Sequence, residues 1–571
     1  MAVKLTSAVT LISTSTRPVS GKDSTVTCTI VSSVRYQILI HITLYTDPTA
    51  LSTGKFQTIQ VFALCPVFCL GVTAVFAVKS GIGNFSQETP MLTKTAYLTY
   101  SQCPKAFWLA TNRPYLAAPP DPATQRRLRA GQEVDRRARD QFPNGRPVPY
   151  RPQPEEMAPL TTQAIAAGAA TLFQATFTVD DLLVKADILA RASDGWHLIE
   201  VKSTTSYKEK EHLPDVAFQL YVLQEAGLNV TQTSLMRLNS GCRAPDLSNL
   251  FTLDDVTAEA NAFLPQIAAD VTAMRRIAAQ NAAPDVSVGR HCTRPYPCPF
   301  HEHCWQDVTG LTIYDIPRLS AKKERPLQES GVLYLADIPD DHPLTATQRK
   351  FVNFHVQRQI NIDRDAIRRE MAGLEYPLYF FDFETIDYAI PRFDGCKPYQ
   401  QVPFQYSCHI LHADGALVHQ EYLHMDDGDP RRPLAESLLN HIGETGHLIA
   451  YNIPFERGVL NKLADHLPEY ADRLRDMADR LWDQLPVFRQ HYRDYRFGKS
   501  NSLKSVLPVI TPELSYGALD VQNGTQAQVA WEEMVGEGDT AVKSQLADQL
   551  RAYCRLDTLA MVEIHHILTT L

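Results

Sequence analysis

The stretch Leu378–Tyr388, "LYFFDFETIDY", constrains the fold more than any other part of the chain. An apolar, aromatic run of this length reads as a buried strand, yet Asp382 and Glu384 interrupt it. Residues i and i+2 of a strand share a face, so the two carboxyls project side by side while Phe381 and Phe383 pack the other way. Adjacent carboxylates repel, and desolvating them is costly unless something positive lies between them. Either the strand is an edge with one solvated face, or the acids hold a divalent ion, for which hard oxygen ligands suit Mg²⁺ or Mn²⁺. The choice depends on partners elsewhere in the sequence.

With 571 residues the chain exceeds a single core and requires at least two domains. Its formal charge of −9 argues against a generally basic nucleic-acid coat but leaves room for local basic surface. Eleven cysteines, odd in number and scattered, do not form a secreted disulfide framework, which points to a cytoplasmic protein. The first ninety residues differ from the rest. They hold three acids (Asp23, Asp47, Glu88), and the twenty residues 59–78 carry no charge and have the length of a membrane span. The expectation is that the functional protein starts near Met91 and that residues 1–90 are a non-native or dispensable extension. A membrane anchor is the alternative; a membrane partner is otherwise not expected. Four blocks follow: a helical, Arg-rich stretch over 91–160, alternating strands and helices over 161–308, an amphipathic helical connector over 309–372, and a second α/β block over 373–571 with strands near 377–386, 404–411 and 447–451.

The second block supplies candidate partners. After Gly446 comes "HLIAYNIPFERGVLNKL", an apolar run turning into a helix that begins near Asn452 and Glu456. Near the C-terminus, Tyr553 and Asp557 are four apart and share a helix face. Asp382-x-Glu384, Asn452-x-x-Phe455-Glu456 and Tyr553-x-x-x-Asp557, in this order, resemble the three motifs of the tyrosine-type DEDD exonucleases on an RNase H-like fold. The resemblance implies that Asp382, Glu384, Glu456 and Asp557 hold two divalent ions (Mg²⁺ or Mn²⁺) while Tyr553 orients the attacking water. Two such ions can activate a water and stabilise the leaving oxygen of an in-line displacement. One departure is Glu456, where the family carries Asp. Arg392, Lys499, Ser502 and Lys504 are candidate substrate contacts, with Ser502 placed to cap a helix from Leu503; ordinary capping and solvated side chains are the alternative.

In the first block, "VKADILARASDGWHLIEVKSTTSYK" reads as a hairpin turning at Asp194-Gly195. Asp187 followed by Glu200-x-Lys202 resembles the PD-(D/E)XK nuclease core, with Ala186 where the motif name has Pro. The resemblance implies metal binding by Asp187 and Glu200 and a catalytic Lys202. Gln219 resembles the glutamine of the RecB-type motif, whose usual tyrosine is Leu223 here. Cys103 before this stretch, and Cys292, Cys298 and Cys304 after it, resemble RecB-like nucleases that carry an iron–sulfur cluster, such as the AddB nuclease. Four thiolates suit a [4Fe–4S] cluster, with Zn²⁺ as the runner-up and structural cysteines as the third option. Between Gln125 and Arg151 eight arginines face three acids, a candidate phosphate-contact surface or a solvated helical face.

The order after Met91 resembles a bacterial family known only as a domain of unknown function. The expected fold is α/β multidomain: a PD-(D/E)XK restriction-endonuclease-like domain over 91–308, the connector, and an RNase H-like DEDD domain over 373–571. The expected function is a metal-dependent nuclease with a C-terminal 3′–5′ exonuclease site and an N-terminal RecB-like site. Its partner is nucleic acid, DNA preferred over RNA, in repair or defence by analogy. The alternative is a nucleic-acid-binding or scaffold protein with one or both sites degenerate.

Overall fold

The computed structural model describes residues 91–571, together with four strands before them (Leu11–Arg17, Thr25–Ile30, Ile40–Thr43 and Val61–Ala63) that pair antiparallel in that order. The chain divides into two compact units, Met1–Thr89 and Pro90–Leu571, so the change in composition near Met91 coincides with a unit boundary. Apart from Val61–Ala63 the apolar run 59–78 lies outside the described residues, as does the expectation that residues 1–90 are dispensable. No helix among the described residues is long and apolar enough to cross a membrane.

Residues 90–571 form a mixed α/β, multidomain fold on mixed sheets. In the first block the strands run in spatial order Phe251–Asp255, Val230–Leu238, Trp196–Lys202, Leu182–Arg191, Thr171–Val179, Arg146–Pro147. The expected hairpin is present: Leu182–Arg191 and Trp196–Lys202 pair antiparallel, and Ala192 N donates to Gly195 O at 3.0 Å. A Cβ at Gly195 would lie 2.4 Å from Asn229 O, so only glycine fits this turn. Val230–Leu238 then pairs parallel with Trp196–Lys202. Parallel neighbours need a crossover, and the helix Glu209–Glu225 supplies it. Its Val216, Ala217, Leu220 and Leu223 bury against Tyr97, Phe107 and Trp108 of the first helices.

The connector is helical, with Ile313, Ile316, Leu327, Leu335 and Val352 forming its own small core. Thr345 and Gln348 close a reciprocal capping box at the start of Ala346–Val356.

The second block centres on Leu378–Ile386. Val402–Leu411 and then Leu417–Leu423 lie antiparallel on one side; Leu448–Ala450 and Leu481–Asp483 lie parallel on the other. The pattern does not predict Leu417–Leu423 or Leu481–Asp483. The former, "LVHQEYL", is an edge strand partly exposed on both faces, with only Leu423 buried, so it carries neither an apolar run nor an alternation, and three residues are too few to carry a period. Along the central strand, Tyr379, Phe381 and Phe383 pack into a core with Leu438, Val459 and Leu463. Leu378 and Phe380 face Met561 and Val562 of the C-terminal helix Thr540–Thr570.

Phe380 therefore pins that helix to the sheet. Phe380→Ala is expected to destabilise the second block by about 3–5 kcal/mol, read as a lower urea midpoint with loss of amide protection in Thr540–Thr570.

Candidate functional site

The row Leu378–Phe380 continues along the strand as Asp382 and Glu384. The C-terminal helix runs over it, so the residues preceding Met561 by one and two turns, Asp557 and Tyr553, face the acids. Thr558 fixes the helix rotation: its hydroxyl bonds Ser407 Oγ at 2.7 Å and His409 Nδ1 at 2.8 Å on the adjacent strand. The third contribution comes from the turn after Leu448–Ala450. Asn452 adopts a left-handed φ of 78° and its N–H donates to Asp483 Oδ1 at 2.9 Å. This sets Glu456 in the first turn of the helix Pro454–His466.

Asp382, Glu384, Glu456, Tyr553 and Asp557 thus line one cavity of about 510 Å³, with Ser502 and Lys504 on its rim. Glu384, Glu456 and Asp557 are buried, and Glu456 Oε2 has no hydrogen-bond partner. Burial raises every one of these carboxyls. Asp557, Glu384 and Glu456 push Asp382 further, to well above the carboxylate range. Glu384 is raised to about 8, by burial and then Asp557, and Glu456 to about 8, by burial and Asp483. Asp557 reaches only about 6, because the Tyr516 hydroxyl donates to it and Lys504 lies nearby. Such a set of oxygen donors fits a hard divalent cation. Carboxyl oxygens of Asp382 and Glu384 and the Cys554 sulfur lie within 4.8 Å of one another. Burial and the same carboxylates push the Cys554 thiol well up, so it stays protonated, and hard ions prefer the carboxylates.

Burial, and then the carboxyls of Asp557, Glu384 and Asp382, hold the Tyr553 hydroxyl protonated. Lys504 Nζ donates to that hydroxyl at 3.1 Å and to Gln522 O at 2.6 Å, and sits over the Tyr553 and Tyr516 rings. Ser502 is the N-cap of Leu503–Ile510, as its position suggests, but its hydroxyl bonds Ser505 Oγ at 3.0 Å instead of a backbone amide. Two candidate contacts lie elsewhere. Lys499 pairs with Asp315 of the connector at 3.1 Å, and Arg392 lines a cleft beside the first block. Tyr516 escapes sequence reasoning because it stands in an irregular 3₁₀ turn with no periodic signal.

The first block gathers a different set. Gln219 Nε2 donates to Glu200 Oε2 at 2.7 Å and Asp215 Oδ1 at 2.9 Å. Lys202 donates to Glu200 Oε1 at 2.8 Å and also to Asp215. Lys94 reaches the same Glu200 oxygen at 2.7 Å. Asp187 accepts from Val201 N at 3.0 Å and Gln174 Nε2 at 3.1 Å. Burial works against ionising Glu200, but Lys202 and Lys94 outweigh it and hold its carboxyl far below the usual range. Burial and Glu200 raise Asp187 to about 7. Asp215 and Lys94 join this cluster, although the motif names neither. Asp215 stands four before Gln219 on a buried helix face, a legible spacing; Lys94 gives no local signal.

Cys103, Cys292, Cys298 and Cys304 line a single small cavity, all as free thiols, with His291 beside them. Cys103 caps the helix Pro104–Asn112, while the other three lie on the segment that closes the block. Burial raises Cys298 to about 11; for Cys103 and Cys292 hydrogen bonds from His291 outweigh burial and lower the thiols. The four thiols share this cavity, and such a set of sulfur donors suits a soft metal centre, although no three of the sulfurs lie within 4.8 Å of one another.

Residues 379–502 match a family model described as Domain of unknown function (DUF2779). Similar proteins include "Uncharacterized protein UU173" of Ureaplasma parvum, 24% identical over 249 residues, covering 40% of this chain and 36% of that protein. Another is "Uncharacterized protein MG366 homolog" of Mycoplasma pneumoniae, 26% identical over 211 residues, covering 32% and 31%. The chain spans about a third of the length of these curated relatives.

Carboxyls with raised folded pKa values bind protons that the unfolded chain releases, so the folded state loses stability as pH rises from about 4 to about 8 without divalent ions. The melting temperature of chelator-treated protein should fall across this window. Mg²⁺ or Mn²⁺ should restore it, more at pH 8 than at pH 5, as binding must displace protons. Asp382→Asn should flatten the wild-type slope and remove most of the ion effect. For the cysteine cavity, anaerobically purified protein is expected to contain iron and acid-labile sulfide with broad visible absorbance. Cys298→Ala should lose both and melt at lower temperature; stoichiometric zinc without iron excludes the cluster.

Proposed function

We propose that this protein is a metal-dependent nuclease whose second block is a two-metal 3′–5′ exonuclease. The observation that carries this is the convergence of Asp382, Glu384, Glu456, Asp557 and Tyr553, from three distant segments, on one cavity. The sheet order supports the RNase H-like reading of the fold: three antiparallel strands, with two further parallel strands in succession beyond the first of them. When bound by the four carboxylates, two divalent ions would supply water activation and leaving-oxygen stabilisation. The chain's own groups do the positioning. Tyr553, kept protonated, offers a hydroxyl to hold a water, and Lys504 brings positive charge to the rim where a phosphate would enter. Glu456 reaches the cavity despite its extra methylene, and its unpartnered Oε2 leaves a ligand position open.

For the first block we propose a RecB-like PD-(D/E)XK site. Asp187 and Glu200 are the ligands, Lys202 meets charge that develops on phosphate, and Gln219 orients Glu200. The antiparallel hairpin followed by a parallel strand supports this fold. The four cysteines would carry a [4Fe–4S] cluster, or Zn²⁺, joining the two ends of the block. Nucleic acid, DNA before RNA, is the partner, in the cytoplasm. One observation favours a second reading for this block: Lys94 and Lys202 already neutralise Glu200 and Asp215. A block that binds nucleic acid without cutting it is consistent with that pairing.

The test uses the full-length protein, purified anaerobically, on 3′- and 5′-labelled single-stranded DNA and RNA with Mg²⁺ or Mn²⁺. Stepwise loss from the 3′ end should fall by about 10²–10³-fold or more in Asp382→Ala. Residual cleavage should vanish when Lys202→Ala is added. Equal inertness of wild type and double variant, with binding retained, sinks the nuclease reading and leaves a scaffold.

A further inference from the structure

A cleft of about 1,080 Å³, roughly twice the carboxylate cavity, separates the first block from the second. One wall is the helix Pro122–Arg139. Some of its arginines are satisfied: Arg126 bonds Asp387 and Glu532, Arg137 lies 3.6 Å from Asp140, and Arg139 bonds Asp135. Arg127, Arg129 and Arg136 are different. They are exposed and line the cleft, and among the described residues no carboxylate lies within 4.0 Å of them. Arg129 and Arg136 are two turns apart on one face, about 10 Å along the axis.

The opposite wall belongs to the second block. Arg392 stacks 4.0 Å from the Tyr388 ring centre and pairs across the cleft with Glu133 at 3.6 Å, and Tyr399, 36% exposed, donates to Ser203 O at 2.5 Å. Tyr296, 51% exposed, enters from the loop between Cys292 and Cys298. Lys202 lines the same space.

We infer that this cleft holds a single strand of nucleic acid, gripped by both blocks and led to Lys202. That the strand meets a hydrolytic site there rests on the reading proposed above; the grip itself does not. The four acids that line the cleft are each paired with a base, Asp387 and Glu532 with Arg126, Glu211 with Lys208 and Glu133 with Arg392, so in a chain of net charge −9 the remaining Arg127, Arg129 and Arg136 form a surface for a polyanion. The tyrosine rings decide which polyanion. The exposed rings of Tyr296 and Tyr399 offer stacking platforms, and a duplex keeps its base faces covered while a single strand can present them. An acidic peptide would satisfy the arginines and leave the rings unused.

The experiment is fluorescence anisotropy on the full-length protein in chelator, with three probes: a labelled single-stranded oligonucleotide, the matching duplex, and polyglutamate of equal charge. The single strand should bind about tenfold or more tighter than either competitor. The double substitution Arg127→Ala, Arg136→Ala should weaken it about tenfold and flatten the slope of log affinity against log salt by about 1.4. Arg392→Ala and Tyr399→Ala, on the other wall, should each weaken it by about fivefold or more. Arg475→Ala, whose partner is Asp465 on a remote surface, should change nothing. Equal duplex affinity, tighter polyglutamate binding, or full affinity in the variants of either wall overturns the inference. Full affinity with intact cleavage in wall variants sinks the cleft and spares the nuclease. Wall-dependent binding by a wild type inert on every substrate does the reverse.

Discussion

Four carboxyl groups gathered on one cavity, three of them buried, are the constraint around which the second block is organised. Taken alone, Asp382, Glu384, Glu456 and Asp557 destabilise it, since burial and mutual repulsion both oppose ionisation. Their arrangement is maintained because each is carried by an element held elsewhere. Phe381 and Phe383 anchor the strand from its other face, Phe380 meets Met561, and Thr558 locks the helix rotation next to Asp557. The apolar packing on either side is what keeps the acids together, and the protons they retain without a cation are the price of that placement.

The first block buries acids by the opposite means. Glu200 and Asp215 are met by Lys94 and Lys202 within hydrogen-bond reach, so this cluster is closer to electroneutral without any ion. A divalent ion at Asp187 and Glu200 would compete with Lys94, whereas one at Asp382 and Glu384 meets carboxyls that have no such cation bonded to them. On the proposed function, the two blocks therefore differ in how strongly they call for a metal, and the second is the more demanding.

How much of this was legible follows from the range of the interactions. The strand at Leu378, the hairpin at Asp194-Gly195 and the helix from Leu503 were readable because their signals are local: an apolar run, a turn pair, a cap. The set Asp382, Glu384, Glu456, Asp557 was readable only as an ordered resemblance, since the residues span 176 positions and nothing local says they meet. Lys94 and Tyr516 were not readable. Each reaches its carboxylate from over forty residues away, Lys94 to Glu200 and Tyr516 to Asp557, and neither sits in a pattern. Lys499 failed for a related reason: an exposed lysine takes whichever acid tertiary structure brings, here Asp315. Leu417–Leu423 was hidden because this edge strand is partly exposed on both faces and shows neither the apolar run of a buried strand nor the alternation of a half-buried one.

The two sites are linked by a single length of backbone. The strand that presents Asp382 and Glu384 to one cavity shifts register after Glu384, and three residues later Asp387 and Tyr388 line the other cleft. Arg126 grips that turn through the Asp387 carboxylate and carbonyl, and holds Glu532 of the helix Gly524–Gly536 at the same time. A partly buried guanidinium with three acceptors is directional and hard to slide. Arg126 therefore ties the helix Pro122–Arg139 both to the helix Gly524–Gly536 and to the turn at Asp387, and so helps to set the width of the cleft. A strand held in it would be held by the same piece of structure that positions Asp382, which makes the two sites mechanically dependent even where their chemistry is separate.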